Sequence, residues 1–202
     1  MISLSKGARI SLAKESGNNQ LTSVMAGLGW DEMRKPGFFG RIASCQETAD
    51  LDTFAILLDQ NDHLINGISD VVYFGNLTHN SGAVRHHGDN LTGDGDGDDE
   101  QITVDFVSLP SYVKKIVLGV NIYNAKQKKQ DFGMIENAFI RLVDNSTNKE
   151  ICRYNLTNDY AGKVAVIFGE LYEHNGEWKF AAVGISPSKE AETISQIARL
   201  YV

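Results

Sequence analysis

Thirteen residues at positions 88–100, GDNLTGDGDGDDE, hold six carboxylates and four glycines with no lysine or arginine among them. Two unit charges about 4 Å apart repel by roughly 1 kcal/mol in water and roughly 4 kcal/mol at an effective dielectric of 20. Compacting such a loop demands a counter-charge. Glycine lets the backbone double back and aim its carbonyls inward. Carboxylate, amide and carbonyl oxygens are hard ligands, suited to a cation that takes six to eight of them in flexible geometry. That cation is Ca²⁺ rather than Zn²⁺ or octahedral Mg²⁺. The candidate ligands are the carboxylates of Asp89, Asp94, Asp96, Asp98, Asp99 and Glu100 and the amide oxygen of Asn90.

Three other readings of the loop are weaker. Like-charge runs are usually disordered linkers, but QITVDF at 101–106 alternates polar and apolar as a half-buried strand does, so the acidic run ends on a structured element. An EF-hand would put Asp94, Asp96 and Asp98 at loop positions 1, 3 and 5, yet position 6 is then Asp99 instead of glycine and position 12 is Asp105 instead of glutamate. The repeated nonapeptide of calcium β-rolls needs several copies, and the motif occurs once.

A second acidic group, Asp50-Leu51-Asp52, opens the strand-like run LDTFAILLD at 51–59. Alternate strand residues point the same way, so Asp50 and Asp52 share a face as an opposing wall while Leu51 turns to the other. Asp31, after Gly29-Trp30, is a weaker contributor. The carboxylates outnumber what one ion can use, which points to two Ca²⁺ ions. Each ion adds two charges, so the formal net charge of −7 would become −3.

Strand patterns dominate the rest. Ile116, Leu118, Val120 and Ile122 share one face, as do Ala138, Ile140 and Leu142. The stretch 164–168 is apolar on both faces and belongs mid-sheet; Trp178, Phe180 and Ala182 point inward. Asn175-Gly176 is a strong hairpin signal, and DNSTNK at 144–149 marks another. Only Ile194, Ile197, Ala198 and Tyr201 carry a helical period, with Ser186-Pro187-Ser188 as its expected opening. The expected fold is all-β: a two-sheet β-sandwich with a short C-terminal helix and metal-binding loops at one end, residues 1–202 forming one domain.

Composition narrows the function. The net charge of −7 argues against a nucleic-acid partner. No apolar run approaches the 18 or so residues of a membrane span, and the amino terminus lacks a signal-peptide core, so direct membrane insertion is not expected and a cytoplasmic location is. Cys45 and Cys152 stand alone, without a redox or disulfide pattern. His86-His87 reads as a solvent-exposed pair rather than a zinc site, and AKQKKQ at 125–130 as a solvated basic turn. The strings Gly27-Leu28-Gly29 and Gly93-Asp94-Gly95 fail as phosphate cradles, lacking the strand–helix setting and the lysine.

An ordered set of motifs runs through nearly the whole chain. It comprises Leu4-Ser5-Lys6-Gly7, Gly27-Leu28-Gly29-Trp30-Asp31, Asp50-Leu51-Asp52, Gly88-Asp89-Asn90 through Asp98-Asp99-Glu100, Phe132-Gly133, Asn137-Ala138-Phe139-Ile140-Arg141, Phe168-Gly169-Glu170-Leu171-Tyr172 and Gly176-Glu177-Trp178-Lys179-Phe180. The set resembles the TerD-type tellurium-resistance and bacterial stress proteins. One departure is the connection 31–49, longer and more basic than the usual one, which could cover the acidic face or present Phe38-Phe39. The resemblance implies a bacterial cytoplasmic β-sandwich binding two Ca²⁺ ions, with no established reaction. The expected function is a non-enzymatic calcium-binding stress or tellurite-resistance protein whose metal-ordered acidic face recruits a partner. Candidate partners are other tellurium-resistance or stress proteins, including a membrane-associated complex. The alternatives are a metal-dependent phosphoesterase-like enzyme and a calcium-bridged sugar or phospholipid binding module.

Overall fold

The computed structural model describes residues 2–17, 21–32, 49–88, 97–156, 160–187 and 191–202. In chain order its elements are β1 (Ile2–Leu4), β2 (Arg9–Ser11), α1 (Leu12–Ser16), β3 (Ser23–Glu32), β4 (Leu51–Leu58), β5 (Val71–Val72), β6 (Val84–His86), β7 (Glu100–Asp105), β8 (Lys115–Ile122), α2 (Ala125–Lys128), β9 (Ile135–Asp144), β10 (Lys149–Asn155), β11 (Ala165–His174), β12 (Glu177–Ile185) and α3 (Ile194–Ala198). They form two six-stranded sheets, ordered β1-β10-β9-β3-β7-β6 and β2-β12-β11-β8-β4-β5. Pairing is antiparallel except between β1 and β10.

The main core lies between the sheets. Leu51, Ala55 and Leu57 of β4, the even-numbered residues 116–122 of β8, and Ile102 and Val104 of β7 all meet there. The opposite face of the second sheet is covered as well: Phe54, Ile56 and Leu58 pack with Val117, Ile167, Ile194 and Ile197 under α3. That double coverage explains why β4 is buried along its whole length and reads as a continuous apolar run. Each such aliphatic side chain contributes about 1.5–3 kcal/mol on full burial.

The Asn175-Gly176 hairpin is present, with both residues at positive φ and His174 facing Glu177 across the turn. The 144–149 hairpin pairs Asp144 with Lys149. One expectation shifts. The terminal helix starts later than Ser186-Pro187: its N-cap is Thr193, whose hydroxyl accepts from Gln196 N–H while the Gln196 side chain returns to the Thr193 backbone. That reciprocal capping box outcompetes a proline start because it satisfies two otherwise orphaned N–H groups. The central strand β3 was not among the expected strands, because Gly27 and Gly29 lower its strand propensity.

Candidate metal centre

Gly27 and Gly29 explain how the end of the acidic loop is seated. A Cβ on Gly27 would lie 2.2 Å from Asp98 Oδ2, and one on Gly29 would lie 2.5 Å from the Gly97 carbonyl oxygen and from the Phe139 ring. The bare strip on β3 therefore lets residues 97–98 lie against the first sheet. The string that fails as a phosphate cradle is the floor under residues 97–98. Gly29→Ala should drive backbone into backbone; we expect a loss of about 1–3 kcal/mol in denaturant unfolding, the usual range for an overpacked site.

Arg141 of β9 then fixes Asp98 by a two-pronged bond, Nε to Oδ1 at 2.7 Å and Nη2 to Oδ2 at 3.0 Å, with the Asp98 side chain fully covered. Such bidentate charge-assisted pairs fix geometry as well as charge. Asp99 is held by its neighbours on β3: its N–H donates to the Leu28 carbonyl at 2.7 Å and its Oδ2 accepts from Trp30 N–H at 3.0 Å. Burial pushes the Asp99 carboxyl above the ordinary aspartate value against that Trp30 bond, and the charges of Asp31, Asp98 and Glu100 push it further. A cation would relieve that crowding. Asp31 is exposed and accepts from Asn137 Nδ2 at 2.8 Å, Asn137 being the positive-φ residue at the irregularity where β9 shifts register against β3.

Glu100, the first residue of β7, turns into the sandwich. Its Oε2 accepts from Thr53 N–H at 2.6 Å and Thr53 Oγ1–H at 2.7 Å, which ties the first sheet to an open edge of β4. His86 Nε2 stands 3.0 Å from Thr53 Oγ1, while its Nδ1 accepts from Gly88 N–H at 3.2 Å. Nε2 therefore carries the hydrogen, and both ring nitrogens are used within the protein. This corrects the expectation of an exposed His86-His87 pair: β6 turns His86 inward to 2% exposure and only His87 outward.

On β4, Leu51 faces the core, as alternation requires, and Asp50 and Asp52 are buried beside it. Asp52 stands directly opposite Asn121 of β8. The Asn121 side chain was not among the sequence candidates, although a lone amide in the otherwise apolar IVLGVNI at 116–122 is a readable signal. Two acceptor oxygens, Glu100 Oε1 inside the sandwich and Asn121 Oδ1 on the opposite face of the second sheet, are buried with no hydrogen-bond partner among the described residues. Buried acceptors without donors are rare and costly, and such oxygens are what a hard cation coordinates. Among the described residues, no three His, Cys, Asp or Glu side chains converge tightly enough to hold an ion by themselves. Asp89, Asn90, Asp94 and Asp96 lie outside the described residues, as do Cys45 and the Phe38-Phe39 pair.

A polar concavity of about 660 Å³ opens on the outer face of the first sheet, lined by Arg85, His87, Gln101, Thr103 and Arg141 among others. Its lining includes neither Asp50 nor Asp52, nor Glu100.

The TerD domain matches residues 1–201. The chain belongs to the TerD family. Among its TerD relatives, the stress response protein SCP2 of Bacillus subtilis (strain 168) is 46% identical over 185 residues, covering 91% of each chain. The tellurium resistance protein TerD of Serratia marcescens is 44% identical over 183 residues, covering 91% of this chain and 89% of that one. A solved structure described as a homologue of telluride resistance protein TerD, SCO6318 from Streptomyces coelicolor A3(2), shares the fold. Its TM-score is 0.65 at 19% identity, with 83% of this chain and 90% of that chain covered. These two relatives carry the names of a stress protein and a resistance protein rather than of enzymes. No helix among the described residues is long and apolar enough to cross a membrane.

Proposed function

We propose that this TerD-family chain is a calcium-binding, non-enzymatic stress and tellurite-resistance module of the bacterial cytoplasm, whose ion-ordered acidic end recruits another resistance or stress protein. The observation that carries the reading is that two buried oxygens have no donor among the described residues, Glu100 Oε1 inside the sandwich and Asn121 Oδ1 opposite the buried Asp52 across the β4–β8 register. The donor set is all oxygen, which fits Ca²⁺ and not a thiolate- or imidazole-seeking metal. Asp50, Asp52, Glu100 and Asn121 would supply oxygens from the strands, and Asp89, Asn90, Asp94 and Asp96 from the loop, divided between two ions. Asp98 and Asp99 would position the loop through Arg141 and Trp30. When bound, calcium supplies positive charge that lets the acidic end hold one shape.

The tellurite-linked names of the relatives carry over as an indirect role. Burial pushes the Cys152 thiol up to about 12, so it stays protonated and unreactive. The test is calorimetric titration of chelator-treated protein with Ca²⁺ and, separately, Mg²⁺. We expect saturable heat for Ca²⁺, a weak response to Mg²⁺, and loss of at least about tenfold in Ca²⁺ affinity for Asp52→Asn, the loss typical of one ligand-sphere change. Identical titrations for wild type and the variant would remove β4 from the site.

A further inference from the structure

Beside Asp50 and Asp52 the surface changes character abruptly. Tyr73-Phe74-Gly75-Asn76 forms a tight turn, closed by mutual backbone bonds of 3.1 and 2.8 Å between Tyr73 and Asn76 and locked by Asn76 Nδ2 on the Val71 carbonyl at 2.7 Å. A Cβ at Gly75 would meet the Tyr73 ring at 2.6 Å, so glycine here lets the ring lie over the turn. The turn holds Phe74 outward at 38% exposure, edge-on to Tyr73 at 5.2 Å and to Tyr123 at 5.9 Å. Tyr123, 42% exposed, donates its N–H to the Asp50 carbonyl at 2.8 Å, so the aromatic pair borders the candidate metal centre. Directly behind it, α2 places Lys128 Nζ 5.9 Å over the Tyr123 ring, with Lys126 ion-paired to Glu192 and Lys129 exposed.

We propose that this rim, Phe74 and Tyr123 with Lys128 and Lys129 at the end of α2, docks on an anionic phospholipid surface. Rigidly held aromatics that are half in water suit the headgroup boundary. Lysines beside them favour anionic headgroups in a chain whose overall charge is negative. The inference rests on the calcium reading in one respect: without a bound cation, Asp50 and Asp52 oppose an anionic surface, and with one they do not. The occupant is a membrane rather than a second copy because two copies would bring the same lysines face to face.

The test is co-sedimentation with phosphatidylcholine vesicles and with mixed phosphatidylcholine–phosphatidylglycerol vesicles, each in Ca²⁺ and in chelator, beside a Ca²⁺ titration of each protein. Wild type should pellet with the mixed vesicles in Ca²⁺. Phe74→Ser with Tyr123→Ser should weaken that binding by about tenfold or more, the effect of withdrawing on the order of 60 Å² of apolar surface. Its Ca²⁺ titration should not change, which also shows that the variant is folded. Lys128→Glu with Lys129→Glu should weaken binding in the mixed vesicles. Calcium heat without pelleting, or equal pelleting of wild type and variants, overturns the docking surface and leaves the calcium reading standing. A concentration-dependent dimer abolished by the aromatic variant, with bare vesicles, overturns it in favour of self-association. Absence of calcium heat removes the calcium reading, whereas pelleting that still depends on Phe74, Tyr123 and the lysines supports the rim by itself.

Discussion

Saturating Ca²⁺ should raise the thermal midpoint by about 5–10 °C. An ion at a hundred times its Kd adds about 2.7 kcal/mol, and each kcal/mol moves a chain of this size by about 2–4 °C. Magnesium should do little, because it demands near-ideal octahedral geometry and sheds water reluctantly. Glu100→Gln separates ion binding from ordinary structure by the sign of its two effects. The amide oxygen can keep the bonds that Oε2 accepts from Thr53 N–H and Oγ1–H. The new NH₂ replaces Oε1, which has no donor among the described residues. A buried charge is also removed. In chelator the variant should therefore melt no lower than wild type, and in Ca²⁺ it should lose most of the shift. Scanning calorimetry in both buffers reads this directly, and an undiminished calcium shift in the variant would remove Glu100 from the ion's surroundings.

Asp70→Ala should destabilise the protein by about 3–5 kcal/mol, independently of calcium, as removing one side of a buried charge network does. Asp70 is fully buried just before β5. Its carboxylate accepts from Asn66 N–H at 2.8 Å, Asn66 Nδ2–H at 3.1 Å, Ile65 N–H at 3.2 Å and Tyr112 O–H at 2.9 Å, with His79 Nε2 at 3.1 Å. Burial by itself would raise this carboxyl, but the bonds from Asn66, His79 and Tyr112 outweigh it and hold the group below the ordinary 3.8. Because the folded-state value is the lower one, the stabilisation is present above the unfolded value and is lost as pH falls through the folded one. Urea unfolding between neutral pH and pH 3 should show wild type losing stability on acidification and Asp70→Asn losing less. Parallel acid limbs for the two proteins would show that Asp70 titrates alike folded and unfolded.

The legible strands were those with an unambiguous apolar rhythm, such as β8, or double coverage, such as β4 and β11. Hairpin turns were legible because Asn175-Gly176 tolerates the positive φ that the turn requires. The placement of β3 was not, because glycines that weaken strand propensity are kept there for contacts with residues 97–98, far away in the chain. His86 looked exposed by adjacency to His87, but a strand sends neighbouring side chains to opposite faces.

What the sequence determined by itself is a charge imbalance: six carboxylates in thirteen residues and a second acidic pair, which repel one another unless counter-charge is brought to them. Only the tertiary structure decided the jobs of the individual carboxylates. Asp98 goes to Arg141, 43 positions away, Glu100 crosses between sheets to Thr53, and Asp52 meets Asn121 through the β4–β8 register. The physical reason is that charge is a property of composition, whereas the partner of a carboxylate depends on strand order and register, which the whole core sets.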